Sequence, residues 1–208
     1  MSQLDLFITA ETNRLPYDGE VYYNPALLDK KQASAYFDRL LQEINWKQDE
    51  VIIYGRHIVT SRMTAWYADD YYTYTYSRVA RQAMLWTPLL RELKQLVEAT
   101  TGQTFNACLL NLYHSGSESL GWHSDDEPSL QRAGMIASLS LGAERKFMFK
   151  HKRTAEKVAL LLESGSLLRM QGDTQQHWLH SLPKTRLVSR PRINLTFRQM
   201  RVDVVKPL

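Results

Sequence analysis

Cysteine is nearly absent from this 208-residue chain, with Cys108 alone. A lone cysteine excludes an internal disulfide and suits a reducing compartment; its expected role is that of a small buried apolar residue. Long apolar runs are missing too. No stretch of 18 or more apolar residues occurs, so a helical membrane span is excluded and no membrane partner is expected. The opening MSQLDLFITAETNR lacks a basic start, an apolar run and a small-residue cleavage site. No secretory leader is therefore expected, and the expected compartment is the cytoplasm. Repeats and low-complexity segments are also lacking. Nor does one sign of charge dominate, since 26 Lys and Arg against 22 Asp and Glu leave a net +4. That balance allows a polyanion partner without demanding one.

What is present is an ordinary globular composition, 44% hydrophobic and 23% charged. The length fits one domain with its own core, or a core domain plus a short arm. Basic residues gather in two stretches. One holds Arg145, Lys146, Lys150, Lys152, Arg153 and Lys157; the other holds Lys184, Arg186, Arg190, Arg192, Arg198 and Arg201. Charge alone leaves two readings open, solvated strand edges or a surface that tracks phosphates.

Residues 1–25 have little periodicity and read as an N-terminal arm, with 26–208 as the domain. Asp29 can cap a helix over Lys31–Trp46, whose Phe37, Leu40, Leu41 and Ile44 share one face. Val51–Tyr54 reads as a strand ended by Gly55. Thr87-Pro88 is an N-cap followed by proline at the first helical position, and it opens a helix that closes at Gly102. Leu89, Leu93, Leu96 and Val97 form its apolar stripe. Between these helices Tyr71–Ser77 alternates aromatic and hydroxyl residues, as a strand would. From Phe105 onward short alternating runs follow one another: FNACLLNLY, MIASLSL, KFMFKH, VALLLE, SLLRM, HWLHSL and RINLTFRQM. Many short strands at this spacing predict an antiparallel barrel or jelly roll.

Two segments carry chemistry. In GWHSDDE, His123 and Asp125 stand two apart, so on extended chain both side chains point one way. With a second histidine from elsewhere they would make a facial 2-His-1-carboxylate site for Fe(II), with positions open for 2-oxoglutarate and O2. A surface turn explains the same tripeptide. In RINLTFR, Ile193, Leu195 and Phe197 face one way, and Arg192, Asn194, Thr196 and Arg198 the other. On a solvent-facing strand the polar row needs no explanation; inside a barrel it becomes a carboxylate clamp. Asn111 and Tyr113 in NLY share the same spacing.

Taken in order, N-L-Y, H-S-D, H-W-L-H-S-L-P and R-I-N-L-T-F-R resemble the AlkB-type Fe(II)/2-oxoglutarate dioxygenases that repair alkylated DNA. The resemblance spans roughly residues 50–200 and looks closest to the double-strand-preferring branch. It implies an α+β, mainly β fold: a double-stranded β-helix (jelly roll) with N-terminal helices and nucleotide-recognition elements around residues 50–80. It implies that His123, Asp125 and His180 bind iron, and that Asn111, Tyr113, Arg192, Asn194, Thr196 and Arg198 hold 2-oxoglutarate. His177 and His180 are three apart and would face opposite sides of a strand; the family places its ligand just before the S-L-P stretch, which selects His180. His57, His114 and His151 have no motif support.

Further roles follow from the same resemblance. Asp126 and Glu127 would face a flipped, positively charged base, although exposed turn acids explain them equally simply. Tyr74, Thr75 and Tyr76 match the base-lid segment. Tyr54, Gly55 and Arg56 match an intercalating finger. The implied reaction removes N-alkyl groups from bases such as N1-methyladenine and N3-methylcytosine. It consumes O2 and 2-oxoglutarate and releases succinate, CO2 and an aldehyde, formaldehyde from a methyl lesion. The lesion must leave the base stack first. Separately, Gln3, Leu4, Asp5, Leu6 and Phe7 are similar to the pentapeptide with which bacterial repair proteins dock on the sliding clamp, which would set the chain in a bacterial cytosol. A monomer is expected. The alternatives are a dioxygenase of the same fold acting on RNA or protein, and a non-catalytic module that binds alkylated DNA. A complete iron triad argues against the module; aromatic and basic segments favour nucleic acid over protein, without separating DNA from RNA.

Overall fold

The structure, a computed structural model, describes residues 11–53, 56–76 and 79–201. In chain order it runs through β1 (Glu20–Asn24), α1 (Lys30–Glu43), β2 (Lys47–Ile53), β3 (Arg56–Ala68), β4 (Thr73–Tyr76), β5 (Val79–Gln82), β6 (Met84–Leu85) and α2 (Pro88–Thr101). The second half adds β7 (Ala107–Tyr113), β8 (Leu120–His123), β9 (Ile136–Gly142), β10 (Arg145–His151), β11 (Lys157–Leu162), β12 (Ser166–Gln171), the single turn α3 (Thr174–His177), β13 (Trp178–Leu182) and β14 (Arg192–Arg198).

Both long helices begin where capping chemistry places them. The Asp29 carboxylate accepts from the Gln32 backbone N–H, and the Gln32 side chain accepts from the Asp29 N–H in return. That reciprocal pair satisfies two donors at the end of α1. Thr87 caps α2 through the Leu90 N–H, Pro88 opens the helix, and Gly102 closes it at φ 67°, a left-handed value that glycine adopts freely. Two expectations need correction. α1 stops at Glu43 rather than Trp46, and Leu41 lies exposed, off the buried face that carries Leu40. In α2 the buried stripe includes Leu90, whereas Leu96 is only partly covered.

Two sheets face each other. The larger has the order β1-β12-β9-β14-β7-β3-β2, with β6 beside β3; the smaller is β11-β10-β13-β8; β4 and β5 form a separate ribbon. Every pairing in the two large sheets is antiparallel except β3 with β6. This is the jelly roll that the strand spacing predicts. Residues 20–24, read as part of the arm, already belong to the main sheet through β12, with Val21 and Tyr23 buried. Five residues are too few to show a period above noise.

The main sheet buries both faces. One face packs Leu110, Leu139, Leu195 and Phe197 against Leu40, Leu89, Leu93 and Val97 of the helices. Burial on this scale anchors the sheet, at about 1.5–3 kcal/mol for each large apolar side chain. The opposite face carries Thr64, Asn111, Ser138, Ser140, Arg192, Asn194 and Thr196, all buried. No helix among the described residues is long and apolar enough to cross a membrane.

Candidate metal centre

The polar row of β14 meets its neighbours in register. Asn194 stands opposite Asn111 on β7 and Ser140 on β9, Thr196 opposite Ser138, and Arg192 opposite Tyr113. Because registered residues share a face, one alternating pattern on β14 recruits polar side chains from both flanking strands. The result is a hydrogen-bonded lattice. Arg192 Nη2 donates to Ser140 Oγ (2.9 Å) and Asn194 Oδ1 (2.9 Å), Ser138 Oγ donates to Asn194 Oδ1 (2.9 Å), and Asn194 Nδ2 donates to Thr196 Oγ1 (2.8 Å). The polar row of RINLTFR faces the interior rather than solvent, since Arg192 is 2% exposed.

Tyr113 lies among three guanidinium groups, with Arg192, Arg62 and Arg145 at 5.6, 5.8 and 5.9 Å from its ring centre. Arg145 donates to the carbonyls of Ser115 (3.1 Å), Glu118 (2.8 Å) and Pro183 (2.9 Å), which ties the loops around this end of the cavity. Burial pulls the Arg192 pKa down to about 10, opposed by Tyr113 and helped by Arg145, and still leaves the group charged at neutral pH. Among the described residues its buried Nε has no hydrogen-bond partner. A buried, charged donor without an acceptor is costly and calls for an anion.

At the other end of the cavity stand His123, Asp125 and His180. β8 ends at His123, β13 carries His180 directly opposite it, and Asp125 follows two residues after the strand end. One ligand atom from each lies within 4.8 Å of the other two. The imidazole rings sit 4.2 Å apart, and His123 Nε2 is 3.8 Å from Asp125 Oδ1. Gly121 O, which can only accept, lies 2.8 Å from His123 Nδ1. That bond keeps the proton on Nδ1 and leaves the Nε2 lone pair for a metal. Burial, aided by His123, pulls the His180 pKa down to about 3, so its ring is neutral. Burial alone would raise the Asp125 pKa, but Arg198, His180 and His123 overturn it and hold the carboxyl below its ordinary value. Arg198 Nη2 takes Asp125 Oδ2 at 2.8 Å, which leaves Oδ1 toward His123 as a single-oxygen ligand.

Two imidazole nitrogens and one carboxylate oxygen make a donor set that suits Fe(II). The cavity they share with Arg192 is walled by Trp66, Leu109, Leu120, Phe147 and Leu182. The donor set fits Fe(II), and the unpaired Arg192 Nε fits the far carboxylate of a keto diacid.

The third histidine is reached for a different reason than spacing alone gives. His177 belongs to the turn α3 rather than to β13, and its ring stacks on His151, 6.2 Å away. Asp126 and Glu127 do not line the iron cavity; they line an adjoining pocket that shares Asp125 and Arg198, and Asp126 is exposed with Lys152 Nζ at 3.6 Å. The backbone of Tyr74, Thr75 and Tyr76 forms β4, paired with β5, and Arg56 opens β3. Tyr54, Gly55 and residues 3–7 lie outside the described residues. Three members of the basic stretches, Arg145, Arg192 and Arg198, point into the protein and drop out of any surface tract.

Sequence reasoning missed the Asp49–Arg62 pair. Both line the iron cavity, both are buried, and their side chains are ion-paired. The β2–β3 register slips between Gln48 and Glu50, so the pair sits at an irregularity that no period announces. It also missed Ser138 and Ser140, although two serines alternating with leucines in MIASLSL were a usable signal.

With this geometry in hand, comparison with known proteins gives consistent results. Residues 20–198 match the model of the 2OG-Fe(II) oxygenase superfamily. The human alpha-ketoglutarate-dependent dioxygenase alkB homolog 3 is 42% identical over 189 residues, covering 86% of this chain and 65% of that protein. The DNA oxidative demethylase ALKBH2 of Mus musculus is 40% identical over 185 residues, covering 84% and 77%. The chain thus spans about two thirds of the length of the homolog 3 relatives, and the two kinds of relative match almost equally. The solved structure of OsALKBH1 superposes with a TM-score of 0.62 at 17% identity, over 89% of this chain and 98% of that one, which is a likeness of fold. A triad of metal-ligating residues, a buried guanidinium in the same cavity and these matches agree: the chain belongs to the 2OG-Fe(II) oxygenase superfamily, among its AlkB-type members.

Proposed function

We propose that this chain removes N-alkyl groups oxidatively from bases in DNA, with Fe(II), O2 and 2-oxoglutarate. The observation that carries the reading is the convergence of His123, Asp125 and His180 on one end of a cavity whose other end holds Arg192. Relatives named as DNA oxidative demethylases supply the substrate class. When bound, iron and keto acid supply the oxidation of the N-alkyl carbon, after which the hydroxylated alkyl group leaves as an aldehyde.

The protein's part is placement. His123, Asp125 and His180 would hold the metal. Arg192, oriented by Ser140 and Asn194 and stacked near Tyr113, seats the far carboxylate of 2-oxoglutarate, with Asn111 and Thr196 completing the wall. Arg198 keeps Asp125 ionised and aims one oxygen at the metal, while its position beside the centre also suits the near carboxylate. Trp66, Phe147 and Leu182 keep water from the reacting carbon. In this reading Tyr74, Thr75 and Tyr76 cover the flipped base, and Tyr54, Gly55 and Arg56 reach into the duplex. Asp126 and Glu127 favour a cationic base from the pocket beside Asp125. A cytosolic monomer that docks on a sliding clamp through Gln3–Phe7 completes the proposal.

The test is formaldehyde release from a duplex carrying one N1-methyladenine, with Fe(II), ascorbate and 2-oxoglutarate. Release that disappears in Asp125→Ala supports the reading. Full turnover in that variant, or turnover on methylated RNA or protein but not on DNA, sinks it.

A further inference from the structure

The three side chains of the metal centre stand on unlike supports. His123 and His180 face each other on the paired strands β8 and β13, whereas residues 124–127, which carry Asp125, belong to no helix or strand. A ligand on irregular chain needs another support to be in place before an ion arrives. We propose that Lys152 and Gln175 are positioning residues that fasten the 124–126 loop to α3 and so set Asp125 for the metal. This role rests on the metal reading of His123, Asp125 and His180.

Lys152 follows β10 directly and is tied to α3 at both of its ends. Its backbone N–H donates to His177 O at 2.8 Å, where α3 stops. Its ammonium donates to Gln175 O within α3 (2.8 Å) and to Ser124 Oγ in the loop (3.1 Å), with Asp126 Oδ2 at 3.6 Å. One side chain thus joins the residues before and after Asp125 to a single carbonyl of α3. Gln175 holds the residue between them. Its Oε1 accepts from the Asp125 N–H at 3.0 Å, and its Nε2 reaches Met170 Sδ on the cavity wall at 3.6 Å. Because an N–H can only donate, the amide oxygen is the atom that faces Asp125. Asp125 is buried, where an N–H left without an acceptor is destabilising. Gln175 therefore fixes the main chain of Asp125, and Arg198 fixes its side chain through Oδ2.

The plain alternative makes Lys152 a member of the basic surface, idle or in contact with phosphate. An exposed lysine–carboxylate pair contributes little by itself. Lys152 departs from that picture in two ways. Its side chain is only 34% exposed, and two of its three donors serve uncharged acceptors on separate segments. A lysine that tracks phosphate keeps its donors in solvent. Asp126, beside the ammonium, also offsets the positive charge that Lys152 brings toward a cation site.

The test is metal affinity of the whole chain, read by titrating Co(II) against a competing chelator. Lys152→Met and Gln175→Met should each weaken Co(II) binding about 10–100-fold, as loss of an outer support does. The double variant should lose little more than the worse single one, because both act through one loop. In the metal-free chain the Asp125 amide should exchange its hydrogen roughly tenfold faster in both variants. At saturating iron, KM for 2-oxoglutarate should stay within about twofold, which general loosening of the cavity would not allow. Unchanged Co(II) affinity in both variants overturns the clamp, and so does weaker DNA binding by Lys152→Met with metal affinity intact. Failure of the metal reading itself looks different: Asp125→Ala would bind Co(II) as tightly as the unaltered chain, and the clamp would fall with the centre.

Discussion

Among the described residues stand two clusters of identical composition, His123/Asp125/His180 and Asp18/His151/His177. What surrounds each one separates them. The first opens on a cavity that ends in a charged arginine with a spare buried donor, so a bound metal there keeps corners free for reactants. In the second, the Thr154 N–H donates to His151 Nδ1, so Nε2 carries its proton toward Asp18 Oδ2 at 3.3 Å, and Tyr17 and Trp178 pack edge-on against the ring. The pair teaches that the same residue types offer a metal their nitrogens only where backbone hydrogen bonds leave the lone pairs free, as the Gly121 carbonyl does for His123 and the Thr154 N–H does not for His151.

The largest expected effect breaks the catalytic half. Asp125→Ala should lower formaldehyde release by about a thousandfold or more while the far-ultraviolet circular dichroism stays unchanged. Next, Arg192→Met removes the anchor and leaves the metal: KM for 2-oxoglutarate should rise about 10–100-fold, the worth of a charge-assisted pair, with iron affinity intact. Unchanged KM would remove the far-carboxylate assignment.

A pH series sharpens the contrast through stability. In the metal-free fold His180 resists protonation down to about 3, chiefly because it is buried, against an ordinary 6.5. Below 6.5 the unfolded chain therefore takes up a proton that the folded chain refuses, and stability falls with pH. Asp125 acts in the same direction at lower pH, because its folded value is also depressed. Between pH 6.5 and 5 the His180 contribution is about 2 kcal/mol. Urea midpoints of chelated protein should fall over that range and fall less in His180→Gln. The smallest effect belongs to the other cluster: His177→Gln should leave kcat within about twofold and shift Tm by no more than a few degrees. A large loss of kcat would show that the two clusters are not independent.

Much of the site was legible because strands and caps are local. H-x-D and R-x-N-x-T-x-R become same-face residues wherever the chain is extended, and Asp29 and Thr87 can cap a helix with three residues of context. Other features were not. Arg145 read as one of a basic surface stretch, yet it is 1% exposed and holds three carbonyls of distant loops. His177 was set aside as facing away on a strand, although it belongs to a helical turn.

By itself, then, the sequence determined which residues share a face, where the helices start, and that an iron and keto-acid chemistry was encoded. Only the tertiary structure decided which charged groups are buried, that Asp49 meets Arg62 on the cavity wall, and that Asp18, His151 and His177 meet at all. The physical reason is that periodicity expresses backbone geometry a few residues at a time. Partners across the order β1-β12-β9-β14-β7-β3-β2 are chosen by packing two whole sheets together.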